Sequence, residues 1–443
     1  VIDEPSGILD LTIGPVAHGG HCVARHEGRV IFVRHALPGE TVRVRLTEHD
    51  DGASFWRADV VQVLQASPDR VNHPWPLADA LLAAQRGAAP VGGAEFGHIA
   101  LPAQRRLKGA VFSEQLSRLA GVDREIDVEP VPGEAADGLR WRTRASFAVD
   151  PDGHLAMHAH RSDELIPIAE MPLAVDTINE LHLWAIDFTG IQRVEVAVGS
   201  ADGPPLILLV PAPGARRKQT SAVVHQFDGP SVALWDPDKG TVERVRGRTW
   251  LAETVGAQTY RVTGDGFWQI HRGAPGLLME AVLSALAIQP GERAADLYSG
   301  AGLFTAPIAD AVGETGRVLA IEGSSGASRD AKRNLHGRTQ VDIIQGKVER
   351  VLRERKPNLD VVVLDPPRAG AGKGAISEVI AAAPRAVGYV SCDPASFARD
   401  VSYFQQAGWE LDTLRVFDLY PHTHHMESFA VLRPGAGRVT PAR

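Results

Sequence analysis

Apolar and polar positions along the chain change rhythm three times. Short β-branched runs come first, at 7–13, 22–25, 29–33, 40–46 and 56–64. Turn signals at Gly19-Gly20, Glu27-Gly28, Pro38-Gly39 and Asp51-Gly52 separate them, as in a small β-barrel. Residues 67–98 are rich in Pro, Ala and Gly and show no clear period. Leu107, Val111, Phe112, Gln115, Leu116 and Leu119 then recur near 3.6 spacing, which predicts a helix over 102–119 stopped by Gly121. A second β-rich stretch follows at 125–260, with strands predicted at 143–149, 154–158, 193–198, 205–210 and 260–263 and a hairpin turn at Asp152-Gly153. From 261 strands and helices alternate. Strands are predicted at 294–298, 317–321, 340–345, 360–364, 387–391, 411–419 and 428–432. Helices are predicted to open at Gly300-Ala301-Gly302 and to cover 329–335, 348–354, 375–383 and 395–406. That alternation means a mostly parallel sheet covered on both faces, whose ligands sit beyond the strands' C-terminal ends. The expected fold is multidomain α/β: an OB-like barrel (1–66), a β-rich central domain (67–260) and a Rossmann-like domain (261–443).

Composition narrows the class only a little. With 443 residues, 44% hydrophobic and 23% charged, the chain has the make-up of an ordinary globular protein. No apolar stretch approaches membrane-spanning length. The first residues, VIDEPSGILDL, lack a signal peptide's basic start, so a cytoplasmic protein with no membrane partner is expected. Two cysteines, Cys22 and Cys392, give neither a disulfide framework nor a cysteine-rich metal site. A net charge of −8 argues against nucleic-acid binding by overall charge but leaves room for local basic surfaces. Candidates are Arg25, Arg29, Arg34 and Arg43 in the barrel, Arg140-Trp141-Arg142-Thr143-Arg144, and Arg216-Arg217-Lys218. Each reads either as phosphate contacts, with stacking at the second, or as a solvated or edge-strand charge.

The candidate chemistry lies at predicted strand ends. Ser391-Cys392-Asp393-Pro394 follows a buried run and precedes a helix, with Asp393 as N-cap and Pro394 in the first turn. Cys392 there is either a thiolate favoured by the helix N-terminus or a buried structural cysteine. Asp296-Leu-Tyr-Ser-Gly300-Ala-Gly302 is a glycine loop after a strand, but a dinucleotide fingerprint would want a third glycine where Thr305 stands. Glu322 ends the next strand, where a carboxylate can bind a ribose diol or cap a helix. Loop and acid together suit S-adenosylmethionine, which has a ribose and no phosphate. Asp365-Pro366-Pro367 follows an apolar strand and could orient a base or simply cap a turn. In Pro421-His-Thr-His-His-Met-Glu427-Ser428, the histidines lack metal-site spacing, and Glu427 reads as a poised base or a strand-edge charge.

Together these motifs resemble the RNA 5-methyluridine (uracil-C5) methyltransferases. The matching pieces are Gly264-Asp265-Gly266-Phe267-Trp268-Gln269, DLYSGAGLFTAPIA, LDPPRAGAG, SCDPASFARD and HHMESFAVL, and the barrel resembles an RNA-binding TRAM domain. The resemblance implies a class I S-adenosylmethionine-dependent fold in which Cys392 adds to uracil C6, Glu427 removes the C5 proton and Asp365 positions the base. It implies a cofactor pocket at Gln269, Asp296, Tyr298, Gly300, Gly302, Glu322 and Asp365. RNA contacts are expected at Arg25, Arg29, Arg34, Arg142 and Arg144. Ribosomal RNA is favoured over tRNA, and a monomer is expected. An RNA cytosine-C5 methyltransferase is the enzymatic alternative, disfavoured because RNA members of that class typically use two cysteines. An RNA-binding protein with a decayed cofactor site is the non-enzymatic one. Many relatives hold an iron–sulfur cluster on four cysteines. Here the corresponding text is Val91-Gly92-Gly93-Ala94 and Met171-Pro172-Leu173, so no cluster and no metal is expected. His271 stands where the family usually has Asn. The family also suggests that helix 102–120 packs on the catalytic domain.

Overall fold

The computed structural model describes residues 7–435 except Asp51 and Arg161. The Asp51 half of one turn signal and the outer ends of the first and last domains lie outside the described residues. Strands β1 (Ile8–Thr12), β2 (Cys22–His26), β3 (Arg29–Arg34), β4 (Thr41–Glu48) and β5 (Phe55–Gln65) form a sheet of order β1-β4-β5-β3-β2. Alternation decides its inside: Val42 and Val44 are fully buried, while Arg43 and Arg45 between and beyond them point outward.

The aperiodic connector contains one short helix, α1 (Ala80–Gln85), capped by Asp79. Helix α2 (Leu101–Ala120) ends at Gly121 in the left-handed region (φ 63°), as its C-cap requires. It has two apolar faces. Ala103 and Val111 join the barrel core, whereas Phe112 and Leu116 join the core of the last domain. The helix therefore packs on the last domain and also carries the barrel against it. After α2 the two-residue strand β6 (Val128–Glu129) leaves the central region to pair elsewhere.

The central sheet is built from β7 (Arg144–Val149), β8 (Leu155–His158), β9 (Leu165–Pro167), β10 (Ile191–Ala197), β11 (Leu206–Pro211), β12 (Ser231–Asp236) and β13 (Thr241–Arg246), in order β13-β12-β11-β10-β7-β8-β9. Helix α3 (Asp176–Asn179) precedes β10. Helix α4 (Arg217–His225) makes the crossover between the parallel pair β11 and β12. The basic run Arg216-Arg217-Lys218 is thus the start of α4. Val91, Ala94 and Met171 are buried in one apolar cluster with Trp75 and Trp141. Methyl groups and a thioether stand there without a thiolate, so these residues do not fit an iron–sulfur cluster.

The predicted boundary at 260 cuts through a hairpin, β14 (Trp250–Val255) and β15 (Gln258–Thr263). The hairpin buries Val255, Tyr260 and Val262 in the last domain's core, and the Tyr260 hydroxyl donates to the Leu303 carbonyl at 3.1 Å. We propose that this domain starts near residue 250. It continues through α5 (Ala274–Leu286), β16 (Arg293–Leu297), α6 (Thr305–Val312), β17 (Arg317–Glu322), α7 (Ser325–Asn334), β18 (Val341–Gln345), α8 (Val348–Arg355), β19 (Val361–Leu364), α9 (Gly372–Ala381), β20 (Ala386–Ser391), α10 (Pro394–Gln406), β21 (Trp409–Phe417) and β22 (Glu427–Pro434). The sheet order is β18-β17-β16-β19-β20-β22-β21-β6. Five strands are parallel, and β22 runs antiparallel to both β20 and β21. β6 adds an eighth strand beside β21. Every residue of β19 and β20 is buried, which explains their unbroken apolar runs. Helix α6 opens at Thr305, three residues after the predicted glycines. Among the described residues no helix is long and apolar enough to cross a membrane.

Candidate active site

Three strand ends meet at one edge of the large sheet. Asp365 follows the last residue of β19, and Cys392 follows the last residue of β20. Because β22 is antiparallel, its first residue, Glu427, lies at that same edge. Ser391 pairs with Ser428, and the Ser428 hydroxyl donates to the Ser391 carbonyl at 3.0 Å. The register fixes Glu427 beside Cys392. Asp393 caps α10, accepting from the Ser396 amide at 2.7 Å, with Pro394 in the first turn. The Tyr420 hydroxyl donates to Glu427 Oε2 at 3.1 Å.

All three acids are held towards their neutral forms. Burial, then the charge of Glu427, push the Cys392 thiol up to about 11, while Arg368 pulls the other way through a hydrogen bond and its charge. Burial and then Asp296 raise Asp365 to about 7. Burial and then Asp365 raise Glu427 well above the usual carboxylate range, against the Tyr420 hydrogen bond and Arg368. Of the two readings of Cys392, a thiolate at the helix N-terminus or a buried thiol, burial and the neighbouring carboxylates favour the protonated thiol at rest. Arg368, which sequence reasoning passed over, is a cation that acts on both Cys392 and Glu427. Its signal was its place directly after Asp365-Pro-Pro.

The barrel reaches this edge. A cavity of about 180 Å³ is lined by His18, Gly19 and Gly20 of the barrel and by Arg368, Cys392 and His424. His18 Nε2 pairs with Asp393 at 3.0 Å. A Cβ on Gly20 would lie 2.6 Å from His424 Cβ, so only glycine permits that approach. The histidine loop makes structural contacts: His422 Nε2 bonds the Asp137 carbonyl at 2.8 Å, and His424 lies 3.8 Å from Glu95.

The loop after β16 has the shape of a ligand cradle. Tyr298, Gly300 and Gly302 have φ of 64°, 55° and 96°. A Cβ on Gly300 would meet nothing within 4 Å, whereas one on Gly302 would lie 3.2 Å from Leu335. Glu322 closes the loop, accepting from the Gly300 amide at 2.8 Å and the Ser324 amide at 2.6 Å. These features fit a ribose-bearing ligand with no phosphate. Asp296 is not at the cradle's surface. It is fully buried, accepts from the Thr305 hydroxyl at 2.5 Å and is pushed up to about 7 by burial. Its place is under the loop, fixing the start of α6. Gln269 is buried in the segment after β15. His271 stacks on Trp141 with ring centroids 5.7 Å apart, and burial lowers it to about 4, so it is neutral.

The arginines expected at RNA sort differently. Arg25 is exposed. Arg29 lies 4.3 Å over the Trp56 ring, a cation–π pair. Arg34 is taken up by Asp59, its Nε donating at 2.6 Å. Arg142 and Arg144 point inward. Arg144 donates to the Gly266 carbonyl at 2.8 Å, Arg142 Nε donates to the Arg144 carbonyl at 2.8 Å, and Trp141 is 2% exposed. An exposed stacking platform is absent there, and β7 is an interior strand rather than an edge. Arg144 ties the central sheet to the segment carrying Gln269, and Arg142 braces the Arg144 backbone.

A parallel sheet finished by an antiparallel strand, with a glycine cradle after one strand and an acidic end on the next, defines a class I S-adenosylmethionine-dependent methyltransferase. The cysteine at its edge narrows the chemistry. Residues 256–434 match the family model for tRNA (uracil-5-)-methyltransferases, and residues 7–55 match the TRAM domain. An uncharacterized RNA methyltransferase of Streptomyces avermitilis is 43% identical over 438 residues, covering 96% of this chain and 98% of that one. The 23S rRNA (uracil(1939)-C(5))-methyltransferase of Cronobacter sakazakii is 30% identical, covering 96% of each. The crystal structure of Pyrococcus abyssi tRNA (uracil-54, C5)-methyltransferase with S-adenosyl-L-homocysteine has the same fold, with a TM-score of 0.70 at 22% identity, covering 96% of this chain and 100% of that one. The chain belongs to the family of S-adenosylmethionine-dependent RNA uracil-C5 methyltransferases.

Proposed function

We propose that the chain methylates C5 of a uridine in structured 23S ribosomal RNA through a covalent adduct on Cys392. The observation that carries the mechanism is the meeting of Cys392, Asp365 and Glu427 at three adjacent strand ends. The full-length likeness to 23S rRNA uracil-C5 methyltransferases supports the substrate class. Uracil C5 is a poor nucleophile. Addition of Cys392 Sγ to C6 converts C4, C5 and O4 to an enolate and makes C5 reactive. Bound at the Gly300 cradle and Glu322, S-adenosylmethionine supplies an electrophilic methyl group. Asp365 orients the base, and Arg368 stabilises the thiolate. Glu427 then takes the C5 proton so that Cys392 can leave. A paired or stacked uridine has to be extruded to reach this edge. The barrel, with exposed Arg25 and Arg29 over Trp56, and the central sheet would grip the surrounding RNA.

The test is methyl transfer from labelled S-adenosylmethionine to unmodified ribosomal RNA and tRNA in parallel, with nucleoside analysis. Labelled 5-methyluridine in 23S rRNA, lost in Cys392→Ala with cofactor binding kept, is the expected result. Label in tRNA alone overturns the substrate class, 5-methylcytidine overturns the base, and normal product from Cys392→Ala overturns the mechanism.

A further inference from the structure

We propose that Tyr420 is a positioning residue for Glu427, holding carboxylate oxygen Oε2 so that Oε1 is presented to the C5 proton. The inference rests on the reading of Glu427 as the base and goes beyond it. Tyr420 lies on the loop between β21 and β22, and its ring is fixed from several sides. Trp141 meets it edge-on at 5.9 Å and His425 at 6.2 Å. Its carbonyl accepts from Lys108 Nζ at 3.0 Å and from the Thr423 hydroxyl at 2.8 Å. Ring packing alone would be served equally by phenylalanine, since burying a hydroxyl is costly unless it is bonded. The hydroxyl's partner is Glu427 Oε2 at 3.1 Å. Among the described residues no hydrogen bond engages Oε1 of Glu427.

The step that depends on this bond is elimination. Glu427 takes the proton from C5, the C5–H electron pair forms the C5=C6 bond, and the C6–S bond breaks with its pair returning to Cys392 as thiolate. The base must be ionised for this. The charged and titratable groups that face Glu427 are Asp365 and Arg368 on the β19 loop, Cys392 after β20 and Tyr420. Burial and Asp365 keep the proton on Glu427, whereas Tyr420 and Arg368 release it. Removing the Tyr420 hydroxyl leaves a stronger, less available carboxyl–proton bond and an unheld carboxylate. Addition of Cys392 and delivery of the methyl group do not use the hydroxyl.

The experiment compares wild type, Tyr420→Phe and Glu427→Gln with 23S rRNA and labelled S-adenosylmethionine. It follows the RNA–protein adduct that survives denaturation, and the rate of its decay against pH. Tyr420→Phe should slow decay about tenfold at neutral pH, the size of one hydrogen bond to a charged group. It should move the rising limb of the pH profile to higher pH and leave the KM for S-adenosylmethionine unchanged. Glu427→Gln should trap the adduct outright. Wild-type decay and an unmoved pH limb in Tyr420→Phe, with Glu427→Gln still trapping, would overturn the role of Tyr420 and leave the base in place. No adduct in Glu427→Gln, with methyl transfer intact, would overturn both.

Discussion

Cys392 should be slow to alkylate in the resting protein, and the pH dependence of that reaction tests the electrostatics of the whole edge. Its thiol is raised from the ordinary 9.0 to about 11, first by burial and next by the Glu427 charge. Two pH units mean about a hundredfold less thiolate than an ordinary cysteine carries, or about 0.1% of the population at pH 8. Thiolate, not thiol, is the nucleophile. Reaction with iodoacetamide, followed by mass spectrometry of the Cys392 peptide, should therefore accelerate tenfold per pH unit from about pH 7 to about pH 10 without levelling. Cys22 is an internal control, being buried in the barrel core and pushed up to about 12. The neighbours give the sign of two variants. Glu427→Gln removes a charge that opposes the thiolate and should speed alkylation at the alkaline end, where the wild-type carboxyl is ionised. Arg368→Met removes the opposing cation and should slow it. A plateau below about pH 9 would mean a thiolate already formed at the helix terminus, and the argument from burial and carboxylates would be wrong.

Lys108 and Asp418 form a fully buried ion pair at 2.5 Å that ties α2 to the loop before the histidines. Asp418 also accepts from Arg105 Nε at 3.2 Å, so Lys108→Met leaves the carboxylate one of its two cations and should cost about 1–3 kcal/mol in urea unfolding; a loss under about 0.5 kcal/mol would show the pair to be dispensable. Asp393→Ala removes the α10 cap and should lower stability by about 1 kcal/mol. Asp393 is held at about 2 by His18 and the Ser396 amide against its own burial. Its contribution is therefore full above 3.8 and lost as pH falls through about 2, so wild type and variant should converge in acid; a gap that persists there would refute the linkage. Gly302→Ala puts a Cβ 3.2 Å from Leu335 at φ 96° and should cost about 1–3 kcal/mol along with S-adenosylhomocysteine affinity. Gly323→Ala, whose Cβ would clear its neighbours by 4.0 Å, should keep its stability in the same calorimetric titration.

The sequence pattern was clearest where one physical cause dominates. β19 and β20 are buried on both faces and read as apolar runs, and Asp393-Pro394 marked the start of α10 to the residue. Helix α5 escaped because Ala274–Leu286 is apolar nearly all round and opens on Gly-Ala-Pro-Gly, which reads as a loop. The hairpin of β14 and β15 was split because its strands look like their central neighbours, and only packing shows which core they enter. The meeting of Cys392, Asp365 and Glu427 could be read ahead because each stands at a strand end, where topology gathers side chains whatever the loops do. The arginines could not be sorted in this way. Sequence gives a charge but not its partner: Arg34 finds Asp59 opposite it on the neighbouring strand β5, and Arg144 finds a carbonyl 122 residues away. Asp296 shows the converse: a strand-end acid can face the ligand or the helix behind it, and here one oxygen accepts from Thr305 while Oδ1 has no partner among the described residues.

The cavity at Cys392 also shows why domain boundaries and site boundaries need not agree. Its walls come from the barrel (His18 to Gly20), the connector (Phe96), helix α2 (Lys108, Val111) and the large sheet (Arg368, Cys392). The contacts that close it join residues hundreds of positions apart: His18 to Asp393 and Gln104 to the His422 amide at 2.8 Å. Apolar contacts with α2 dock the barrel, and His18, paired with the cap of α10, and Gly20, pressed against the loop that leads into Glu427, add to them. A nucleotide reaching Cys392 through this cavity must pass that barrel loop. The barrel loop and the edge that carries Cys392 therefore line one cavity, and a displacement of the barrel would reach that edge through Asp393 and His424 without any change in the large sheet.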